Sequence, residues 1–146
     1  MNQIIKYLTL LLFLIGILKA NERETYISPG IQIGMNSKGN FFISGQITFG
    51  YITSNLGIPI GLTIGRRGYK IEKKDWGKYN YIDAQVWPFY GGVGLGIMID
   101  KNRRMFPRFK CGVGFFGYLT YDNFEIFENN YGIIGVLPIL SRGISL

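Results

Sequence analysis

The sequence predicts an all-β protein: an antiparallel, up-and-down β-barrel of about eight strands, preceded by an N-terminal signal-peptide helix. Three observations lead to this prediction. Large apolar residues alternate with small or polar ones along most of the chain, turn-forming segments separate the alternating stretches, and helical periodicity is absent after the first twenty residues. Successive side chains of a strand point to opposite faces, so each stretch predicts a ribbon with one apolar face.

The first twenty residues have the order of a secretory signal peptide. Lys6 precedes an apolar run of twelve residues, 7–18, and Lys19-Ala20 then leads into the polar segment that begins at Asn21. A helix of that length measures about 18 Å, which is too short for a hydrocarbon core of roughly 30 Å. We expect a signal peptide over residues 1–20, cleaved after Ala20, and one β-barrel domain over residues 21–146; an uncleaved anchor is the alternative.

The strands are predicted from the alternation, in chain order. Residues 26–35 place Ile31, Ile33 and Met35 on one face, and the turn-forming segment 36–40 ends that strand. The third strand, the clearest, alternates Ile58, Ile60, Leu62 and Ile64 with Pro59, Gly61, Thr63 and Gly65. This third strand is expected at 56–66, and the other strands at 41–51, 79–90, 93–100, 108–118, 124–127 and 131–140.

The less apolar face of the strands is unsuited to water. It carries glycines where a solvated strand carries Lys, Glu or Thr, and glycine weakens a strand. A crowded interior that needs small residues explains them better, because the lumen of an eight-stranded barrel is just wide enough to be filled by side chains. The glycines are Gly61, Gly65, Gly94, Gly96, Gly112 and Gly114, and the inward side chains expected to fill the remaining space include Tyr81 and Trp87.

The ends of the strands add two further signals. Aromatic residues gather there, as in the girdles that lie at lipid headgroups. The expected connections also alternate in length: 67–78 and 101–107 are long, whereas 53–56, 88–92 and 121–123 are short. Long outer loops and short inner turns are the asymmetry expected of a membrane barrel.

Over residues 26–140 the chain resembles the small bacterial outer-membrane β-barrel proteins as a class. The resemblance rests on the signal peptide, the alternation, the glycine-rich strands and the aromatic strand ends, and it matches no particular family. Many proteins of this class end on an aromatic residue, whereas this chain ends on Leu146. The resemblance implies export, a place in the bacterial outer membrane and contact with its lipid; a secreted or periplasmic protein is the alternative location.

Composition restricts the chemistry that is expected. The chain has 16 basic and 9 acidic residues, one cysteine and no histidine. Histidine is the usual proton shuttle and the commonest metal ligand, so we expect no enzyme and no metal site. The segment Gly112–Gly117 fits a dinucleotide motif by spacing, but no helix is predicted after it, so we expect no cofactor.

Two groups of residues are candidate sites. The first is a basic loop surface that could attract anionic glycolipid or polysaccharide; the alternative is a solvated face, and specific nucleic-acid binding is not expected. Its residues are Arg66, Arg67, Lys70, Lys73, Lys74, Trp76, Arg103 and Arg104. The second is a polar cluster in the lumen, which could instead be a paired-carboxylate acid–base site. Its residues are Asp83, Gln85, Asp100, Arg108 and Lys110.

The function expected from these features is a small non-enzymatic outer-membrane β-barrel with a structural or adhesive role and a basic extracellular loop surface. The alternative is a soluble secreted β-sandwich or barrel that acts as a binding module or effector. In the alternative, the apolar faces of the strands pack on each other. The oligomeric state stays open.

Overall fold

The protein is described here by a computed structural model, whose described residues are 24–53, 56–71, 76–88, 90–114, 117–124 and 128–141. They form one antiparallel sheet. Its strands are β1 Glu24–Asn36, β2 Phe41–Ile52, β3 Pro59–Lys70, β4 Trp76–Val86, β5 Gly91–Ile99, β6 Met105–Gly114, β7 Gly117–Phe124, β8 Glu128–Val136 and β9 Ile139–Ser141. Within these ranges no helix has the length and apolarity needed to cross a membrane. The predicted signal peptide lies outside them.

The sheet closes on itself. Each strand from β1 to β7 pairs with the next, and β8 pairs back onto β1. The short β9 continues β8 along β1 in the same register, with Val136 opposite Gly30 and Ile139 opposite Ile27. Pro138 lies at the interruption, and proline has no N–H to donate to a ladder. The predicted closed antiparallel barrel of eight strands is confirmed, and the β-sandwich alternative is wrong.

The register fixes the stagger of the barrel. Following paired residues once around the wall leads from Tyr26 on β1 back to Asn36 on β1, ten residues further along the same strand. A stagger of this kind tilts the strands by roughly 35–45° from the barrel axis. A strand of about ten residues then rises roughly 25 Å along that axis.

The alternation predicted from the sequence becomes an alternation of burial. Along β2 the side chains of Phe42, Ser44 and Thr48 are at most 2% exposed, whereas those of Ile47 and Phe49 are 42% and 47% exposed. Polar side chains therefore point into the lumen and aliphatic ones point outward, as the glycine-rich face predicted. The apolar faces of this closed sheet cover its outside.

Several predicted strand bounds were wrong. The third strand continues past Arg66 to Lys70, and the fourth begins at Trp76, so the predicted connection 67–78 shrinks to 71–75. The predicted turn 121–123 lies inside β7, and only Phe124 of the predicted seventh strand is in a strand among the described residues. The reason is the same at both places. Arg67 and Asp122 favour a loop when they are solvated, but both are held inside the barrel.

The predicted asymmetry of loops is also wrong. The four connections at the end that carries the β1–β2 turn are 37–40, 71–75, 100–104 and 125–127, and those at the other end are 53–58, 87–90 and 115–116. Both ends therefore have short connections, because residues assigned to long loops extend the strands instead.

Candidate functional site: the barrel interior and the basic rim

Five charged side chains form a connected group inside the barrel, which we call the interior charge cluster: Arg67, Asp83, Arg108, Lys110 and Asp122. Nη1 and Nη2 of Arg67 donate to the two carboxylate oxygens of Asp122, each at 2.7 Å. Arg108 donates to Asp83 at 2.5 Å and to Asp122 at 3.1 Å. Lys110 Nζ lies 3.6 Å from Asp83 Oδ2. Each of the five is at most 2% exposed, so the cluster is shielded from water.

The cluster links β3, β4, β6 and β7 across the lumen, and neutral amides extend it. Gln32 Oε1 accepts a hydrogen bond from Arg67 at 2.7 Å, and Gln85 Oε1 accepts one from Lys110 at 2.9 Å. Burying a charge without partners is costly, whereas bidentate arginine–carboxylate pairs are among the strongest hydrogen-bonded contacts. The pairing therefore offsets much of the cost of burying these charges.

Glycines provide the space that the interior side chains occupy. Gly65 is paired with Tyr81, and Gly96 with Asp83, across neighbouring strands. A methyl group on Gly65 would overlap the Tyr81 ring, and one on Gly96 would overlap the Asp83 carboxylate. Tyr81 in turn hydrogen-bonds Ser44 at 2.8 Å through its hydroxyl. Small and large residues therefore alternate around the inner wall.

The lumen is closed at the end that carries the β1–β2 turn. Phe42, Tyr69, Met98 and Phe124 are at most 1% exposed and pack together as an aromatic plug. The guanidinium carbon of Arg67 lies 4.1 Å from the centroid of the Phe42 ring, within the range of a cation–π contact. The plug therefore covers the interior charge cluster and is attached to it.

Aromatic residues also narrow the opposite end. The rings of Trp87 and Tyr118 have centroids 4.6 Å apart. The Trp87 ring packs directly on Gly92, where a methyl group would overlap it. Tyr26, near the start of β1 at the same end, is 7% exposed. The lumen is thus filled with side chains from one end to the other, as in other small barrels.

Four of the five residues predicted for the lumen cluster lie together inside the barrel: Asp83, Gln85, Arg108 and Lys110. Asp100 does not join them, because it follows β5 and binds the turn 101–104. Its carboxylate accepts hydrogen bonds from the backbone N–H groups of Asn102 and Arg104, at 2.7 and 2.9 Å, and pairs with Arg104 Nε at 2.8 Å. Asp83 and Asp100 therefore do not form a paired-carboxylate site.

The environment of Asp100 sets its protonation. Partial burial alone raises the pKa of this carboxyl, but the hydrogen bonds from the N–H groups of Arg104 and Asn102 and the guanidinium of Arg104 favour the charged form. The result is a pKa below its usual range. Asp100 is thus a charged capping residue of the β5–β6 turn at neutral pH.

The assignment of Arg67 from the sequence is wrong, and the interior position of Asp122 was not predicted. Arg67 was assigned to an exposed basic loop, but it is fully buried in β3 because Asp122 neutralises it across the lumen. Asp122 was assigned to a turn, since Asp beside Asn123 is typical of turns. The alternation of Thr120, Asp122 and Phe124 on one face of β7 is the signal that could have identified it.

The other basic candidates lie at the plugged end, on a surface that we call the basic rim. It comprises the exposed side chains of Arg66, Lys70, Lys78, Lys101, Arg103 and Arg104. Trp76, also a candidate, is 42% exposed beside them and packs edge-on against Phe41, with ring centroids 6.5 Å apart. Lys73 and Lys74 lie outside the described residues. The rim therefore retains a basic and aromatic character without Arg67.

No known family model, curated protein or solved structure matches this chain. Among the described residues, no three His, Cys, Asp or Glu side chains are close enough together to hold a metal ion.

Proposed function

We propose that this protein is a small, non-enzymatic β-barrel of the bacterial outer membrane, with a structural or adhesive role and a basic surface at one end. The observation that carries the proposal is the reversed polarity of the barrel. Large aliphatic or aromatic side chains are exposed on the outside of each strand from β1 to β8, interrupted by the basic rim, whereas paired charges lie in the lumen. In water this surface would be unfavourable, since soluble monomers rarely expose apolar patches larger than a few hundred Å².

The dimensions of the barrel support the same proposal. The apolar band of membrane barrels is about 25 Å tall, which is the rise estimated above for a tilted ten-residue strand. In hydrocarbon every backbone polar group needs a partner within the protein, and a closed barrel provides all of them along its strands. An open sheet of the same strands would leave two unpaired edges.

The filled lumen supports a structural role over a pore or an enzyme. Ion pairs inside the barrel join Arg67, Arg108, Asp83 and Asp122 across several strands, which favours a role in holding the wall together. The aromatic plug separates them from one end of the barrel. The rim lies outside this closed lumen and is the part of the proposed protein that can meet anionic glycolipid or polysaccharide.

The proposal includes export by the predicted signal peptide over residues 1–20. If the N-terminus of β1 faces the periplasm, as is usual for single-chain barrels of this class, the basic rim faces outward. The β1–β2 turn, the β5–β6 turn and the rim then belong to the outer surface.

The test is fractionation of cells that express the full chain, followed by gel electrophoresis with and without heating. We expect the protein in the outer-membrane fraction after an alkaline wash, and a folded band that resists SDS and shifts only after boiling. A protein that stays soluble without detergent after removal of residues 1–20, and that shows no heat-dependent shift, would contradict the proposal. Such a result would favour the secreted alternative.

A further inference from the structure

A cavity of about 410 Å³ opens at the basic rim, between the β3–β4 hairpin and the β5–β6 turn. Its volume lies in the range of ligand pockets, roughly 300–1,000 Å³. Four basic side chains contribute to its lining, together with two aromatic residues and one carboxylate: Arg66, Lys78, Lys101, Arg104, Trp76, Tyr79 and Asp100.

The lining has an excess of positive charge. Asp100 is its single carboxylate among the described residues, and that group already binds Arg104 and two backbone N–H groups. Arg66, Lys78 and Lys101 are exposed and make no ion pair with a described residue. Three exposed cations thus line one cavity whose single carboxylate, among the residues that the structure describes, is already paired with Arg104. This arrangement is suited to an anion.

The position of these cations favours a membrane lipid over a soluble anion, because apolar residues flank them. On the outer wall Arg66 is paired with Asn80, Asn80 with Ile99, and Ile99 with Met105. Met105 is 53% exposed, and on the other side of the hairpin Phe41 is 41% exposed. The basic residues therefore interrupt an apolar wall that continues on both sides of them.

The apolar wall also continues directly below the cavity. The cross-strand pair Ile64 and Ile82 lies two residues from Arg66 and Asn80 on the same outer face. Two residues along a strand measure about 7 Å. A phosphate held by Arg66 and Lys78 would thus have aliphatic surface within one headgroup length, where acyl chains could lie.

We propose that this cavity binds the phosphate of a membrane-lipid headgroup, with the acyl chains of the lipid against the wall formed by β3 and β4. The inference rests on the proposed function, because it needs the barrel to be inserted in a membrane. Arg66 and Lys78 supply the charge–phosphate contacts, and Trp76 lies at the level where aromatic side chains of membrane barrels meet headgroups.

The test compares two double variants that remove one arginine and one lysine each from the same end of the barrel. Arg66→Gln with Lys78→Gln changes the cavity, and Arg103→Gln with Lys70→Gln changes the rim outside it. Folded protein in neutral detergent is titrated with phosphatidylglycerol, lipid A, phosphatidylcholine or inorganic phosphate, and bound molecules are counted by native mass spectrometry. Two surface charges are expected to change affinity by on the order of tenfold.

We expect at least one phosphate-bearing anionic lipid to bind more tightly than phosphatidylcholine and inorganic phosphate, and the cavity variant alone to lose about tenfold in that affinity. Whichever of lipid A and phosphatidylglycerol binds more tightly identifies the source of the phosphate. Equal losses in both variants, or inorganic phosphate binding as tightly as the lipids, would overturn the inference. The native protein can insert and show the heat-dependent shift and yet bind no anionic lipid preferentially; that result refutes only this inference. If the native protein never inserts, the proposed function is refuted as well.

Discussion

Asp122 is the residue on which the interior depends most, because it neutralises two arginines that reach it from different strands. Its oxygens lie 2.7 Å from Arg67 and 3.1 Å from Arg108. Replacing a buried pair by well-packed apolar groups can be harmless, but removing one partner leaves an uncompensated charge in a low-dielectric site. The cluster is therefore more sensitive to single substitutions than to coordinated ones.

Asp122→Asn is expected to lower the free energy of unfolding by about 3 kcal/mol, because it leaves Arg67 and Arg108 with one carboxylate between them. Urea titration of the protein in lipid vesicles measures this change. Asp100→Asn, at the β5–β6 turn, is the control and should cost clearly less. An Asp122→Asn protein as stable as the native one would mean that the cluster does not hold the barrel together.

Gly65 and Gly45 make a matched pair for testing how tightly the lumen is packed. Gly65 faces the Tyr81 ring, whereas a methyl group on Gly45 would meet no atom within 4 Å. Gly65→Ala is expected to destabilise the barrel by about 1–3 kcal/mol through overpacking, and Gly45→Ala to be neutral or slightly stabilising. Thermal denaturation of both variants in the same detergent measures the difference; equal effects would indicate a loosely packed lumen.

At the scale of the strand, the sequence was informative where alternation was unbroken and failed where an interior charge stands beside turn-forming residues, as Arg67 and Asp122 do. The outward Leu62 and Ile64 and the inward Thr63 followed from a period of two alone. Arg67 could not be placed, because an arginine beside Gly68 favours a solvated loop unless a partner is known. Its partner is 55 residues away in the sequence, so no local pattern reveals it.

The same limit explains which part of the candidate site was predicted. The strands β4 and β6 alternate strongly, so the odd or even position of a residue was enough to assign it to a face. This assigned four residues to the inward face: Asp83, Gln85, Arg108 and Lys110. Asp122 stands beside Asn123, and both residue types are typical of turns. Asp100 lies just past the end of β5, where strand alternation no longer determines which way a side chain points. Which side chains meet across the lumen depends on the stagger of the barrel, and the sequence of one strand does not determine that stagger.

Because each strand turns one face outward, a charged substitution on that face tests whether lipid or water covers the barrel. Ile47→Lys, in the middle of β2, is expected to destabilise the barrel by about 2–4 kcal/mol if that position faces hydrocarbon. Leu56→Lys is the control, because Leu56 is 69% exposed in the β2–β3 connection, outside the strands. Unfolding titrations in vesicles measure both. In a soluble protein both exposed positions would tolerate lysine alike, and that result would contradict the proposal.

At the scale of the whole molecule, a filled lumen implies a barrel that does not conduct. The aromatic plug at one end, the interior charge cluster below it and the Trp87–Tyr118 contact at the other end leave side chains across the whole path. We expect no single-channel currents from the purified native protein in planar bilayers. Reproducible unitary conductance at low voltage would show that the lumen opens, and would replace the structural role with a pore.

The central claim, that lipid covers the aliphatic wall, is tested most directly by spin labels at outward positions. With Cys111 replaced by serine, single cysteines at Ile47, Leu95 and Leu119 would carry the label, and one at Lys70 would mark the rim. In vesicles we predict that the three wall labels are mobile, accessible to oxygen and shielded from a water-soluble nickel reagent, whereas the rim label is accessible to the reagent. Wall labels that are reached by the nickel reagent, or that are immobilised and reached by neither, would contradict the account.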